Sequence, residues 1–149
     1  MGIARRQIKG SDLIVTVWNG LVTAAEWADT VQSQVADRNH SLSTRRLTDA
    51  RTADSSNITE DDVAVISASY GRSGVALSGV KLAIVANEGW ETAQQVETSM
   101  NNLGVTTVVF SDVHTACLWL GVDPATAVAA INELRREMRD PVRDGEPFA

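Results

Sequence analysis

Between Asp12 and Trp18 the apolar residues are nearly continuous (Leu13, Ile14, Val15, Val17, Trp18), and Asn19-Gly20 ends the run. A strand with one wet face alternates apolar and polar residues, whereas a run without a polar face is covered on both sides. The stretch therefore reads as a central strand. Val80 to Ala86 is the clearest strand in the chain, Val105 to Phe110 is apolar and β-branched, and Arg45 to Ala50 is a weaker strand around Leu47. The main strands are placed at residues 12–19, 45–50, 80–86 and 105–110. Ile3 to Ile8 is shorter, carries Arg5 and Arg6, and meets the central strand through the turn signal Lys9-Gly10-Ser11. That predicts a hairpin with the first strand at an edge.

Helical patterns separate these strands. Thr23-Ala24-Ala25-Glu26 has the form of a capping box, and Ala24, Trp27, Ala28, Val31 and Val35 then recur at three- and four-residue steps. Arg51 to Asn57 is polar and reads as a loop. Thr59 is a second N-cap, with Glu60, Asp61 and Asp62 in the first turn and Val63, Ile66 and Tyr70 on the inward stripe. Trp90, Ala93, Val96, Met100 and Leu103 mark a third helix, stopped at Gly104. Asp112 caps a short helix closed by Gly121, and Asp123-Pro124 opens the last one, with Val128, Ile131, Leu134 and Met138 inward.

Strand and helix thus alternate four times after the hairpin. The pattern predicts one α/β domain over residues 1–139, with a mostly parallel sheet of four or five strands, an antiparallel first edge strand and four or five helices. The 149 residues suit a single core. Residues 140–149 hold two prolines, a glycine and alternating charges, and read as a loose tail. With helices expected mainly on one side of the sheet, an apolar patch would remain, and a homodimer is expected on that ground.

A formal net charge of -6, from 19 acidic and 13 basic residues, argues against nucleic-acid binding, which wants a basic face. Cys117 stands alone, so no internal disulfide is available and a reducing cytoplasm suits the chain. No window approaches the ~18 apolar residues of a membrane span, and the first residues do not read as a signal peptide. The expectation is a cytoplasmic protein.

Ligands of open α/β sheets sit beyond the carboxyl ends of the strands. The candidates there are Asn19 and Gly20, Asp49 and Arg51, Asn87 and Glu88, and Ser111 and Asp112, all residue types that loops and caps also use. His114 and Cys117 stand three apart on one helix, which permits contact, but a zinc site needs a third ligand and Cys117 falls on the apolar stripe. Gly71-Arg72-Ser73-Gly74 follows a helix and so does not make a phosphate loop. No metal, cofactor or catalytic residue is predicted. Four of seven aromatic residues are tryptophans: Trp18, Trp27, Trp90 and Trp119. Trp27 and Trp90 lie on inward stripes, whereas Trp119 lies off its helix's stripe and suits a groove, a dimer contact or the space beneath the last helix.

Three segments carry a family resemblance: Leu47-Thr48-Asp49-Ala50-Arg51, Val80 to Ala86, and Val109-Phe110-Ser111-Asp112 leading into Ala116-Cys117-Leu118-Trp119-Leu120-Gly121. A strand ending in Phe, then a short helix closing on Ala-x-x-Trp-Leu, resembles the SpoIIAA-like branch of the STAS superfamily, small bacterial proteins related in fold to lipid-binding CRAL-TRIO domains. The resemblance covers roughly residues 3 to 121. It implies a non-catalytic binding module, first a regulatory protein-interaction domain and alternatively a carrier or sensor of a lipid or other small hydrophobic ligand. Sliding helices in such a fold open a cleft, for which Tyr70, Trp90 and Trp119 are candidate lining residues. Asp49, Asn87 and Asp112 are the candidate polar contacts, and a third alternative, an enzyme, would use them with a carboxylate of raised pKa. Anti-sigma antagonists of the superfamily are phosphorylated in an Asp-Ser-Ser-Gly-like segment. Asp54-Ser55-Ser56-Asn57 is the counterpart here, with Asn57 in place of the Gly and Ser56 as the candidate phosphorylation site. Read from the residues alone, that segment is a solvated turn, and a phosphate there would face Glu60, Asp61 and Asp62.

Overall fold

The computed structural model describes residues 2–38, 40, 43–75 and 77–139. Five strands form one sheet in the order β1 (Ile3–Gln7), β2 (Leu13–Leu21), β3 (Arg45–Asp54), β4 (Lys81–Val85), β5 (Thr106–Phe110), and only β1 is antiparallel to its neighbour. The helices are α1 (Ala24–Ala36), α2 (Glu60–Gly71), α3 (Trp90–Asn102), α4 (Val113–Leu120) and α5 (Pro124–Arg139). The predicted tail, 140–149, lies outside the described residues.

Strands placed side by side in chain order, each joined to the next by a right-handed crossover, put all their crossover helices on one face. Here α1, α2 and α3 pack there, in a core built on Trp27, Val31, Ile66, Tyr70 and Met100. The other face is not left bare. Leu13, Val15, Val17, Leu47, Ala83 and Val85 point to it and are covered by Val113, Cys117 and Leu120 of α4 and Ile131 and Leu134 of α5. The expected one-sided stacking is thereby corrected: a sheet whose interior strands are apolar on both faces needs a second layer, and the two last helices supply it. Ile131 and Leu134 are each 2% exposed, worth about 1.5–3 kcal/mol apiece, so α5 is an integral layer.

Two local expectations also change. Thr23 Oγ1 accepts from the Glu26 N–H, but the Glu26 carboxylate accepts from the Gly2 N–H instead of closing the box. The complete capping box is at Thr59 and Asp62. The polar stretch after Ala50 is not a loop: β3 continues to Asp54, pairing Thr52, Ala53 and Asp54 with Asn19, Gly20 and Leu21 after a bulge. Polar side chains are tolerated there because both ladders run out past the core. Asp112 caps α4 and Gly121 closes it at φ 75°, where a side chain would be strained, as the sequence predicts.

Candidate functional site

The alternation of β3 sends Arg46, Thr48 and Ala50 to the face of the three crossover helices. With Thr16 and Trp18 of β2 and Leu82 and Ile84 of β4 they floor a partly open chamber of ≈130 Å³, walled by Trp27 and Val31 of α1, Ile66 and Tyr70 of α2 and Ala93, Val96 and Met100 of α3. The lining is predominantly apolar. Trp18 and Trp27 meet edge to face with centroids 5.5 Å apart, a favoured aromatic geometry that stiffens one wall. Ser55, Gly89 and Thr92 belong both to the chamber and to a polar recess of ≈650 Å³ beyond the end of β3, so one end of the chamber adjoins polar surface.

Polar groups concentrate at the start of β3. The Arg46 guanidinium, 7% exposed, donates to the Tyr70 hydroxyl and to the backbone carbonyls of His40 (3.2 Å) and Ser43 (3.4 Å), and lies 5.9 Å from the Tyr70 ring centre. Among the described residues no carboxylate pairs with it, and its Nε has no hydrogen-bond partner. His40 Nδ1 is likewise buried and unpartnered. Burial, then the nearby charges of Arg46 and Arg5, push the His40 pKa down to about 3 against the opposing pull of Asp37, so the imidazole is neutral.

A second polar group lies at the carboxyl ends of the strands, on the opposite face. Asp49 is fully buried, and its carboxylate accepts two side-chain bonds from Arg51 (2.9 Å each), the Arg51 N–H (3.1 Å) and Arg135 of α5 (2.8 Å). Burial pushes its pKa up, but these bonds outweigh it and hold the acid below the usual carboxylate value. Asn87 lines an adjoining recess of ≈460 Å³ with Asn19, Arg51, Thr52, Arg135 and Arg139. Asp112 is occupied as the cap of α4, bonding the N–H and hydroxyl of Thr115, and these bonds lower its pKa.

The predicted site residues are therefore not one constellation. Tyr70 lines the chamber. Trp90 opens α3 and packs beside Ile84, Ala86 and Ala93, outside the lining. Trp119 sits on α4, across the sheet, against Phe110 (centroids 5.6 Å) and under the Lys81 ammonium (5.2 Å), so its place off the helix stripe reflects contact with the end of β5 and with β4. Ser56 is exposed and donates to Asp54 Oδ1 at 2.6 Å, beside the recess at the end of β3. His114 is exposed and Cys117 fully buried, its thiol pKa raised by burial, so the two share no surface. No group of three metal-ligating side chains occurs among the described residues. Sequence reasoning missed Arg46 and His40. The available signal for Arg46 was a charge beside Leu47 in a strand that needed an apolar face.

The fold that emerges is an α/β domain with the mostly parallel sheet and antiparallel first edge strand that the sequence predicts, its strands running in chain order. Among solved structures the chain is similar to an uncharacterized protein of the DUF3478 family with a SpoIIAA-like fold from Shewanella loihica PV-4, at 16% identity over 80% of this chain and 94% of that one, TM-score 0.49. No protein-family model and no curated protein matches the chain. Among the described residues no helix is long and apolar enough to cross a membrane.

Proposed function

We propose that the protein is a non-catalytic binding module whose chamber between the sheet and α1, α2 and α3 holds a small, largely apolar molecule. The observation that supports this reading is the chamber itself: apolar side chains from three strands and three helices surround space that none of them fills. Its size sets the scale. At ≈130 Å³ it is close to the engineered cavity of about 150 Å³ that takes benzene, and well below the roughly 300–1,000 Å³ of pockets for drug-sized ligands. The occupant is one ring or a short alkyl chain; a whole phospholipid is too large. The enzyme reading asked for a carboxylate of raised pKa, whereas Asp49 and Asp112 are both lowered. The protein-interaction reading and the homodimer are separate proposals, tested by affinity capture and by light scattering across micromolar concentrations.

The chamber is tested with toluene. Saturable shifts of the Ile66, Ile84 and Met100 methyl resonances are expected, and Ala50→Leu, which extends a side chain into the chamber from mid-strand, abolishes them while the circular dichroism stays native. Absence of shifts at saturating toluene, or shifts that survive in folded Ala50→Leu, overturns the reading.

A further inference from the structure

We infer that the chamber is built for small apolar carboxylates, with Arg46 and the Tyr70 hydroxyl receiving the acid group; this rests on the chamber reading and names its ligand class. A guanidinium carries five N–H donors and cannot lose its charge in a protein. In Arg46 one Nη1–H is engaged by Tyr70 and Nη2 by the two backbone carbonyls, which leaves Nε–H and a second Nη1–H for something else. The residue is buried, only 7% exposed, and the acceptors it has are neutral. A buried cation without a counter-ion is strongly disfavoured, so proteins that retain one pair it. Here no carboxylate of the described chain does so, and Arg46 is one of the residues that line the chamber.

The neighbours of Arg46 complete the recognition chemistry. Tyr70 uses its oxygen to accept from Arg46, so its own hydroxyl proton is available to an incoming acceptor. A carboxylate is planar, offers two oxygens to a guanidinium fork, and accepts further bonds from hydroxyls. Arg5 also lies near His40, but it is paired with Asp37 at 3.4 Å, so among the described residues Arg46 is the cation here that lacks a carboxylate partner. From Arg46 the floor continues through Thr48 to Ala50, about 13 Å of strand at roughly 3.3 Å per residue, flanked by Leu82 and Ile84. The head group thus sits at the start of β3, and the apolar body extends along the strand toward Ser55 and Gly89. Uncharged molecules of the same shape satisfy the apolar walls and leave the cation unpaired.

The test uses the full chain at neutral pH with benzoate, its uncharged amide benzamide, and toluene, read by calorimetry and by the fluorescence of Trp18 and Trp27. Benzoate is expected to bind roughly tenfold or more tightly than benzamide, the scale of one charge-assisted hydrogen bond. Arg46→Gln brings the two to parity, and Arg46→Lys retains part of the preference. Where Arg46→Gln does not fold, Tyr70→Phe is decisive: it weakens benzoate several-fold and leaves toluene unchanged. Equal affinity for benzoate and benzamide overturns the carboxylate inference while the chamber reading survives on toluene binding. A preference for benzoate that persists in folded Arg46→Gln, or is indifferent to Tyr70→Phe, removes the assignment to these residues. Failure of all three probes removes the chamber reading, and this inference with it.

Discussion

Arg135 of α5 donates to the buried carboxylate of Asp49 on β3 at 2.8 Å, across 86 positions of sequence, and the same guanidinium reaches the Thr52 hydroxyl. In a regular strand, positions 49 and 52 face opposite sides. The bulge after Asp49 gives β3 one extra residue between its pairings with Val17 and Asn19, and that turns Thr52 to the Asp49 side. One helix side chain can then hold both. Arg135→Met leaves Asp49 buried with Arg51 as its remaining cation. Because the removed partner is 17% exposed and the acid fully buried, a loss of about 2 kcal/mol is expected, read as a lowered urea midpoint. An unchanged midpoint would show that Arg51 alone satisfies Asp49.

His40 gives stability a pH dependence of known sign. Its pKa in the folded protein, about 3, lies below the ordinary 6.5, so the unfolded chain binds the proton more readily. Its contribution is complete above pH 6.5 and is lost progressively as the pH falls toward 3. Asp49, whose pKa is lowered from 3.8, acts in the same direction, but only from near pH 4 downward. Between pH 6.5 and 4.5 the slope therefore belongs mainly to His40. Urea unfolding at a series of pH values should show stability falling through this window, and the slope should flatten in His40→Gln.

The outer edge of β5 is closed by side chains of α3. Asn101 accepts from the Thr107 N–H and donates to the Thr107 carbonyl, each at 3.0 Å, and the Glu97 carboxylate accepts from the Val109 N–H at 3.0 Å. Edge strands left open recruit other strands, and these bonds occupy the Thr107 N–H and carbonyl and the Val109 N–H. Asn101→Ala strands the pair on Thr107, which is 3% exposed. A loss of about 1–2 kcal/mol is expected, together with faster amide exchange at Thr107. Retained exchange protection would show that another group covers the edge.

The two threonine caps differ in completeness, and their alanine variants should differ accordingly. Thr59 and Asp62 bond reciprocally, whereas Thr23 caps alone because Glu26 is engaged by Gly2. Thr59→Ala is expected to lower stability by about 1 kcal/mol and Thr23→Ala by less, measured as paired thermal midpoints. Equal shifts would mean that the reciprocal bond at Asp62 adds nothing.

Much of the fold was legible because strand and helix periodicity are local. The run at Leu13–Val17 is buried on both faces, Lys81–Val85 and Thr106–Phe110 lie within one residue of the predicted strands, and Thr59, Asp112 and Gly121 do the capping their types suggest. The end of β3 was not legible. Arg51-Thr52-Ala53-Asp54 has loop composition and becomes strand only because Asn19–Leu21 of β2 lies alongside to pair with it. The candidate site was less legible still. Tyr70 was read as a ligand contact from the resemblance, but Arg46 looked like an ordinary polar position in a weak strand.

By itself the sequence determined which side chains seek burial and where the helices are capped, since both depend on neighbours within about four residues. Tertiary structure alone decided what those side chains meet. Arg46 is brought to Tyr70 over 24 positions and Arg135 to Asp49 over 86, by strand register, a bulge and the hand of the crossovers. Those are properties of the assembled sheet, and no local pattern carries them.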